Sequence, residues 1–269
     1  MALITLTTDF GLSDAYVASM KGVILGINPA ATIIDITHQV PPQDILYGAF
    51  VLATAWKSFP KDSIHVAVVD PGVGTARKVV AARWRGHTFV GPDNGLLALA
   101  LTEAFEQRGK ARLAGDAVAH ELTNSRYHCE PVSPTFHGRD IFAPAAAHLS
   151  RGVSLAKMGP RLRSLQQLAT VSPPAMSRKG VIRGSVAHID IYGNCITNIA
   201  QDEWKMENVR AAGRVLALQR TFGDADGPLA YWGSYGYLEI AVPNGHAARE
   251  LGLKRGDEVK ARGYRKRPS

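Results

Sequence analysis

The fold is decided at Ile64-His65-Val66-Ala67-Val68-Val69-Asp70-Pro71-Gly72-Val73-Gly74, where an apolar run stops at a carboxylate and a glycine-bearing loop. Such a run predicts a buried strand, and α/β proteins place their chemistry where buried strands end. Arg77 follows in the same loop, so an acid and a guanidinium lie within a short reach of each other. A loop with only a packing role rarely needs all of these groups together, and we therefore predict a functional site here.

Strand and helix patterns alternate through the first part of the chain. Short β-branched runs occupy residues 3–7, 32–36 and 64–69, and the segments between them are predicted to be helical. The first helix is expected after Ser13, a good N-cap, and the second from about residue 42 to Pro60. Another helix is predicted over residues 96–105, after the turn signal Pro92-Asp93-Asn94-Gly95. This βαβ pattern predicts an α/β fold with a mostly parallel sheet covered on both faces.

The sequence pattern of the chain changes near residue 165. A proline-bearing connection, residues 166–180, is predicted to link a domain of residues 1–165 to a second domain of residues 181–269. Alternating strand patterns dominate the second domain, for example at residues 184–191 and 235–242. We therefore predict that it is smaller and rich in β-structure.

Composition narrows the function classes. The chain has 269 residues, 46% of them apolar, which is typical of a globular enzyme. No run approaches the length of a membrane span, and the start of the chain lacks the features of a signal peptide, so a cytoplasmic protein is expected. Cys129 and Cys195 have no metal-ligand spacing, which argues against a disulfide framework or a structural zinc site.

The net charge of +8 is concentrated at the end of the chain. Residues 254–269 carry seven basic and two acidic side chains, so we predict a basic C-terminal tail. Such a tail is more often a solvated end than a recognition surface. Nucleic acid is therefore an unlikely partner, although it is kept as an alternative.

Four groups of polar residues lie at predicted strand ends or loops. Each has a functional and a structural interpretation. Asp9 could accept hydrogen bonds from ribose hydroxyls or belong to an ordinary turn, and Asp70 with Arg77 could be a site or only a salt bridge. His137, near a predicted helix start, could act as an acid, a base or a donor. The last group is Asp190 with Asn194, which could bind a ligand or form an Asx turn.

Five motifs in this order resemble those of the S-adenosylmethionine hydrolases that form adenosine, also called hydroxide adenosyltransferases. The resemblance covers nearly the whole chain and rests on residues 8–11, on residues 70–74 with Arg77, and on residues 92–97, 136–140 and 190–198. Fluorinases and chlorinases are similar too, but fluorinases carry a tyrosine at the Asp70 position and a Tyr-Ser pair at residues 137–138. The resemblance therefore favours the hydrolase branch.

The resemblance implies a fold, an assembly and a set of site residues. It implies a Rossmann-like N-terminal domain, a β-rich, barrel-like C-terminal domain, and a homotrimer with active sites at subunit interfaces. No metal and no cofactor are implied, since S-adenosylmethionine is the substrate. The implied catalytic residues are Asp70, Arg77 and His137, and the implied substrate-binding residues are Asp9, Asp14, Asp190, Asn194, Ser234, Glu239 and Val242.

The implied reaction is attack of water at the ribose 5′ carbon, with methionine as the leaving group. Water has a pKa of roughly 15.7 and a free aspartic acid about 3.9, so a simple aspartate base is badly matched. We therefore expect Asp70 to orient the water, Arg77 and His137 to stabilise hydroxide character, and a neutral His137 to be the better proton acceptor. A halide transferase and a binding module without turnover are the alternatives.

Overall fold

The computed structural model describes residues 2–105, 111–168, 175–177, 180–201 and 204–265. The chain divides into two compact units, Met1–Thr170 and Val171–Ser269, and each unit is considered by itself. The predicted linker, residues 166–180, spans this division. Within it, residues 169–174 and 178–179 lie outside the described residues, and Ala175–Met176 form a short strand.

The first unit is built on a seven-stranded sheet in the order β2-β1-β3-β5-β4-β6-β7. The strands β2, β1, β3 and β5 are parallel neighbours, and β4, β6 and β7 continue the sheet antiparallel. Its elements are β1 (Leu3–Thr8), α1 (Tyr16–Ile27), β2 (Thr32–Thr37), α2 (Ile45–Ala55), β3 (Ile64–Val68), β4 (Val79–Trp84), β5 (His87–Pro92), β6 (Val118–Glu121), α3 (Ala143–Ser150) and β7 (Arg161–Leu162).

Helices cover both faces of this sheet. On one face, Met20 and Ile24 of α1 and Ala145 of α3 pack against the sheet, and on the other Leu52 of α2 does so. All four side chains are fully buried. Burial of a leucine or isoleucine side chain contributes about 1.5–3 kcal/mol, so the two layers hold the strands firmly in register. The predicted α/β class is confirmed.

Two of the predicted helices differ in detail from the structure. Helix α1 begins at Tyr16, without a side-chain cap, whereas the sequence predicted a start after Ser13. The predicted helix over residues 96–105 is wrong: the segment forms tight turns and a single 3₁₀ turn at Thr102–Ala104. Apart from the partly buried Leu99, its leucines and alanines are buried almost completely, so tertiary packing has outweighed their helical propensity.

The second unit is a closed barrel of seven strands. Pairing runs β9-β10-β14-β13-β12-β11-β15 and back to β9, with β8 added alongside β9. Closure removes the sheet edges, which confirms the predicted β-rich, barrel-like domain. Its elements are β8 (Ala175–Met176), β9 (Val181–Ile189), β10 (Cys195–Ala200), β11 (Trp204–Ala211), β12 (Arg214–Leu218), β13 (Leu229–Trp232), β14 (Tyr237–Ala241), α4 (Ala247–Leu251) and β15 (Glu258–Arg265).

Much of the predicted basic tail belongs to the barrel. Strand β15 pairs with both β9 and β11, and Val259 and Ala261 are buried in the core. On the outer face, Glu258 lies 2.6 Å from Lys260 and 2.7 Å from Arg183, so the basic side chains are partly neutralised. Residues 266–269 lie outside the described residues, so the tail prediction is tested only up to Arg265.

A buried histidine makes the stability of the first unit dependent on pH. His65 of β3 is fully buried, with Thr5 Oγ1 2.9 Å from its Nδ1 and His87 Nδ1 3.1 Å from its Nε2. Burial, and then the neighbouring His87, lower the pKa of His65 to about 3. Below pH 6.5 the unfolded chain therefore binds a proton that the folded chain excludes.

This group is expected to reduce the free energy of unfolding by about 1.4 kcal/mol per pH unit as the pH falls from 6.5 towards 3. His65→Gln removes the titrating ring, so the stability difference between wild type and variant should shrink with falling pH at that rate. Urea unfolding between about pH 7.5 and pH 4 measures the difference. Parallel pH profiles for the two proteins would contradict this assignment.

Candidate active site

Two predicted site aspartates are brought together by neighbouring parallel strands. Thr8, the last residue of β1, pairs with Val68, the last residue of β3. Asp9 and Asp70 follow these residues at the same edge of the sheet, and both line one pocket. The carboxyl ends of parallel strands thus place the two carboxylates at a single site, as the sequence predicts.

The loop after β3 folds back so that Arg77 grips Asp70. Arg77 Nε donates to Asp70 Oδ1 at 2.8 Å, and Arg77 Nη2 donates to Asp70 Oδ2. The two side chains are only 9% and 5% exposed, so this is a buried, bidentate ion pair. Gly74 allows the turn, because its φ is +76° and a Cβ there would lie 2.5 Å from the Pro134 carbonyl oxygen.

Arg77 also holds His137. Its Nη2 lies 2.8 Å from His137 Nδ1, and a guanidinium can only donate, so Nδ1 is the accepting nitrogen. Burial, followed by the Arg77 charge, lowers the pKa of His137 below its usual value. His137 is therefore neutral near pH 7, with its proton on Nε2.

A single buried carboxylate anchors the segment that carries His137. Residues Gly138–Phe142 form a π-helical turn ahead of α3, and Asp140 within it is 1% exposed. Asp140 accepts hydrogen bonds from Arg139 Nε at 2.6 Å and from the Ser133 amide at 2.9 Å. Burial alone would raise its pKa, but these hydrogen bonds lower it below the usual range, so Asp140 is a charged anchor.

Asp9 is held by a strained backbone position. The Gln43 amide donates to Asp9 Oδ2 at 2.8 Å, and Gln43 has a φ of +67°, which is uncommon for a residue with a side chain. Close by, His38 Nδ1 lies 2.8 Å from Thr8 Oγ1, and the His38 carbonyl accepts from the Gly11 amide at 2.8 Å. Strain of this kind is retained mainly where function requires it.

Asn94 fixes the point at which Asp70 leaves the sheet. Its Nδ2 donates to the Val69 carbonyl at 2.9 Å, while its Oδ1 accepts from the Leu96 amide at 3.1 Å. The sequence marked this residue as part of a turn and of one family motif, without a role of its own. Its side chain holds the backbone at the point where the loop after β3 starts.

The pocket at this edge has a volume of about 410 Å³. Asp9, Asp70 and His137 line it, whereas Arg77 is not among the described residues that do. Arg77 therefore lies behind Asp70 and His137 and donates hydrogen bonds to both. The other lining residues include Phe10, Tyr16, Pro42, Gln43, Val73 and Phe136.

Asp14, predicted to bind substrate, lies in the exposed loop between β1 and α1. It is not among the described residues that line the pocket. Asp14 therefore does not contribute to the pocket that the described residues of the first unit form, and its contact with substrate stays a prediction.

In the second unit, Asp190 and Asn194 form one hairpin turn between β9 and β10. Asp190 Oδ1 accepts from the Tyr192 and Asn194 amides at 2.9 and 2.8 Å, and Asp190 Oδ2 accepts from Asn194 Nδ2 at 2.9 Å. These bonds form the Asx turn that the sequence left open as the structural alternative. Asp190 Oδ2 keeps a spare lone pair, so a ligand contact stays a prediction.

The remaining predicted site residues of the second unit lie on β14 or directly next to β13 and β14. Ser234 is exposed in the turn that joins these strands, and half-buried Val242 follows β14. Glu239 is 5% exposed and accepts a hydrogen bond from the Tyr231 hydroxyl. Burial, with a smaller effect from the Asp190 charge, raises the pKa of Glu239. The Tyr231 contact had no signal in the sequence, because the two residues meet only through strand pairing.

Comparison with known proteins identifies the family of this chain. Residues 4–159 match the SAM hydroxide adenosyltransferase N-terminal domain, and residues 184–260 match the C-terminal domain of the same family. A protein of Thermus thermophilus named (R)-S-adenosyl-L-methionine hydrolase is 41% identical, with 94% of this chain and 96% of that protein covered.

A more distant relative and a solved structure are also similar to this chain. A fluorinase of an Actinoplanes species is 28% identical, with 94% of this chain and 95% of that protein covered. The crystal structure of a Thermotoga maritima protein superposes with a TM-score of 0.84 at 38% identity, covering 96% of this chain and 99% of that one. With both domain models matched in order along its length, the chain belongs to the SAM hydroxide adenosyltransferase family.

Proposed function

We propose that this protein hydrolyses S-adenosyl-L-methionine to adenosine and L-methionine. The observation that carries the proposal is the Asp70–Arg77–His137 cluster, whose two outer members line a pocket that also contains Asp9. The four curated hydrolase relatives, 35–41% identical, are named for the (R) epimer of the substrate. We extend that epimer preference to this chain.

The water is held between Asp70 and His137. Asp70 accepts one of its protons in a hydrogen bond, and His137 Nε2–H donates to its oxygen, because Nδ1 is already occupied by Arg77. One lone pair of the water then faces the ribose 5′ carbon. Such positioning replaces a chance encounter by a fixed geometry, which is a large contribution to rate.

Attack of the water on the 5′ carbon needs no strong base. The water oxygen forms a bond to the 5′ carbon, the carbon–sulfur bond breaks, and its electron pair neutralises the sulfonium as methionine leaves. The proton is lost late, from an oxygen already bonded to carbon and therefore far more acidic than free water. Asp70 suffices as its acceptor at that stage, so the mismatch with free water does not prevent catalysis.

The other side chains bind and position. Arg77 orients Asp70 and His137, and Asp9 holds the ribose hydroxyls through Oδ1, since Oδ2 accepts from Gln43. We propose no cofactor and no metal, because the sulfonium is already a good leaving group. Contacts by Asp14, Asp190, Asn194, Ser234, Glu239 and Val242 to the methionine and adenine ends stay predictions.

Turnover in water enriched in ¹⁸O tests the proposal. Each purified epimer of S-adenosylmethionine is incubated with the protein in the presence of EDTA, and products are analysed by chromatography and mass spectrometry. Adenosine carrying ¹⁸O at the 5′ hydroxyl, with methionine, is expected, faster from the (R) epimer. No adenosine from the folded protein overturns the hydrolase, and a 5′-halogenated adenosine in chloride or fluoride identifies a halide transferase instead.

A binding module without turnover would give no labelled adenosine in this experiment. Calorimetry would nevertheless show tight binding of S-adenosylmethionine.

We further propose a homotrimer in which a neighbouring subunit completes the site, and sedimentation equilibrium measures the assembly. No helix among the described residues is long and apolar enough to cross a membrane. A cytoplasmic location stays a prediction.

A further inference from the structure

Three aromatic rings meet at the mouth of the pocket. The ring centres of Tyr16 and Phe136 are 5.2 Å apart, those of Phe10 and Tyr16 5.7 Å, and those of Phe10 and Phe136 5.9 Å. The three come from different segments: Phe10 follows β1, Tyr16 begins α1, and Phe136 precedes His137. Because they are inclined or edge-on to one another and in contact, the three rings form one continuous aromatic wall of the pocket.

The aromatic wall is closely packed at its base, and Tyr16 is its exposed end. A Cβ at Gly138 would lie 3.4 Å from Phe10 Cε2 and 3.4 Å from Phe136 Cε2, so the absent side chain lets the two rings approach the backbone. Tyr16 is 49% exposed although its ring lines the pocket. An aromatic ring left open at the mouth of a polar pocket is well placed to contact a ligand.

Charge at the aromatic wall favours a cationic group. Arg139 lies over one face of the Phe136 ring, 5.0 Å from its centre, so a cation already occupies that face, and the half-exposed Tyr16 ring offers the accessible face. Asp9 and Asp70 line the same pocket and carry carboxylates. Aromatic faces bind compact, poorly hydrated cations that bear methyl groups, as the cages for quaternary ammonium ligands do.

We propose that Phe10, Tyr16 and Phe136 form the seat of the sulfonium methyl group and thereby select the substrate. This inference rests on the proposed function. A sulfonium methyl group carries part of the positive charge and packs against the rings, whereas a neutral thioether offers neither the charge nor the methyl group. The aromatic wall therefore distinguishes S-adenosylmethionine from its demethylated form, S-adenosylhomocysteine.

The same seat selects an epimer. In-line attack fixes the axis from the water through the 5′ carbon to sulfur, and the ribose and methionine ends fix rotation about it. The two epimers then differ only in which side of sulfur carries the methyl group and which carries the lone pair. An aromatic wall on one side contacts the methyl group of one epimer, whereas the methyl group of the other epimer points away from it.

Tyr16→Leu tests the seat, because the side chain is half-exposed and its loss leaves the core intact. Dissociation constants for S-adenosylmethionine and for neutral S-adenosylhomocysteine are measured by calorimetry, with kcat/KM for each epimer. We expect the preference for the sulfonium over the thioether to fall by roughly 2- to 30-fold, with the ratio between epimers moving towards one. Tyr16→Phe keeps the ring and should restore both ratios.

Tyr264→Leu is the matched control, since Tyr264 is 50% exposed on β15. Both ratios should stay at their wild-type values in this control. Unchanged ratios in Tyr16→Leu, or equal changes in Tyr16→Leu and Tyr16→Phe, would overturn the proposal. The binding ratio distinguishes this failure from failure of the proposed function, because it is measured even for a protein without turnover.

Discussion

Replacing Asp70 by asparagine is expected to lower kcat by about 100- to 10,000-fold, the range for loss of a positioned proton acceptor. Arg77 can only donate, so it will hold the amide oxygen that remains and turn the NH₂ group towards the water. Both groups beside the water, the new amide NH₂ and His137 Nε2, would then be donors. The water loses the acceptor that orients it and takes its proton. Single-turnover kinetics with excess enzyme measure the chemical step directly.

The same substitution leaves Arg77 without a carboxylate in a buried place. Breaking a buried pair by removing one partner commonly costs about 3–5 kcal/mol, so urea unfolding must accompany the kinetics. Asp62→Asn is the matched control, because Asp62 forms an exposed ion pair with Arg83 at 3.1 Å. That variant should keep wild-type kcat. A folded Asp70→Asn protein with wild-type kcat would remove Asp70 from the mechanism.

The convergence of Asp9 and Asp70 was predictable because it depends on strand order. Apolar runs indicate parallel strands, and a residue just beyond a parallel strand lies at the ligand-binding edge. The contact of Arg77 with Asp70 was also accessible, since only six residues separate them along one glycine-bearing loop. Local sequence therefore carries the site wherever its members lie at the ends of neighbouring strands.

Contacts between distant segments were not predictable. The Gln43 amide donates to Asp9 because Gln43 has a positive φ, which no local pattern signals. Asp140, which lies inside a π-helical turn, accepts from the amide of the distant Ser133. Tyr16 carried no signal in the sequence beyond lying within the first predicted helix, and its place in the pocket follows from how α1 packs. Each depends on tertiary packing, which adjusts backbone geometry beyond the range of sequence propensity.

The basic residues of β15 obscured its strand pattern in the sequence. The period of two in Val259, Ala261 and Gly263 is a strand pattern, but the basic residues between them led to the prediction of a tail. Ion pairs of Arg183 and Lys260 with Glu258 allow those side chains to lie together on the outer face. Net charge over a window is thus a weak guide to order, because the basic side chains of a strand can pair with an acidic residue of the same strand.

His137 is expected to act as a hydrogen-bond donor, and glutamine at this position separates that role from the proton acceptor predicted from the sequence. A glutamine Nε2 lies near the position of a histidine Nε2 and donates but cannot accept a proton. His137→Gln should therefore keep kcat within about 10-fold of wild type, whereas His137→Ala should lose about 100- to 1,000-fold, as for loss of one preorganised donor. Both variants are compared by single-turnover rates at neutral pH.

The pH profile gives a second, independent measurement. Protonation of His137 places a proton on Nδ1 and breaks its acceptance from Arg77, so the wild-type rate should fall on the acid side. Burial and the Arg77 charge lower the pKa of this ring, so the fall lies below pH 6.5, where the neutral form is lost. His137→Gln has no such titration and should lack this acid limb. If instead His137 were the proton acceptor, glutamine would be as damaging as alanine, because neither side chain can take the proton from water.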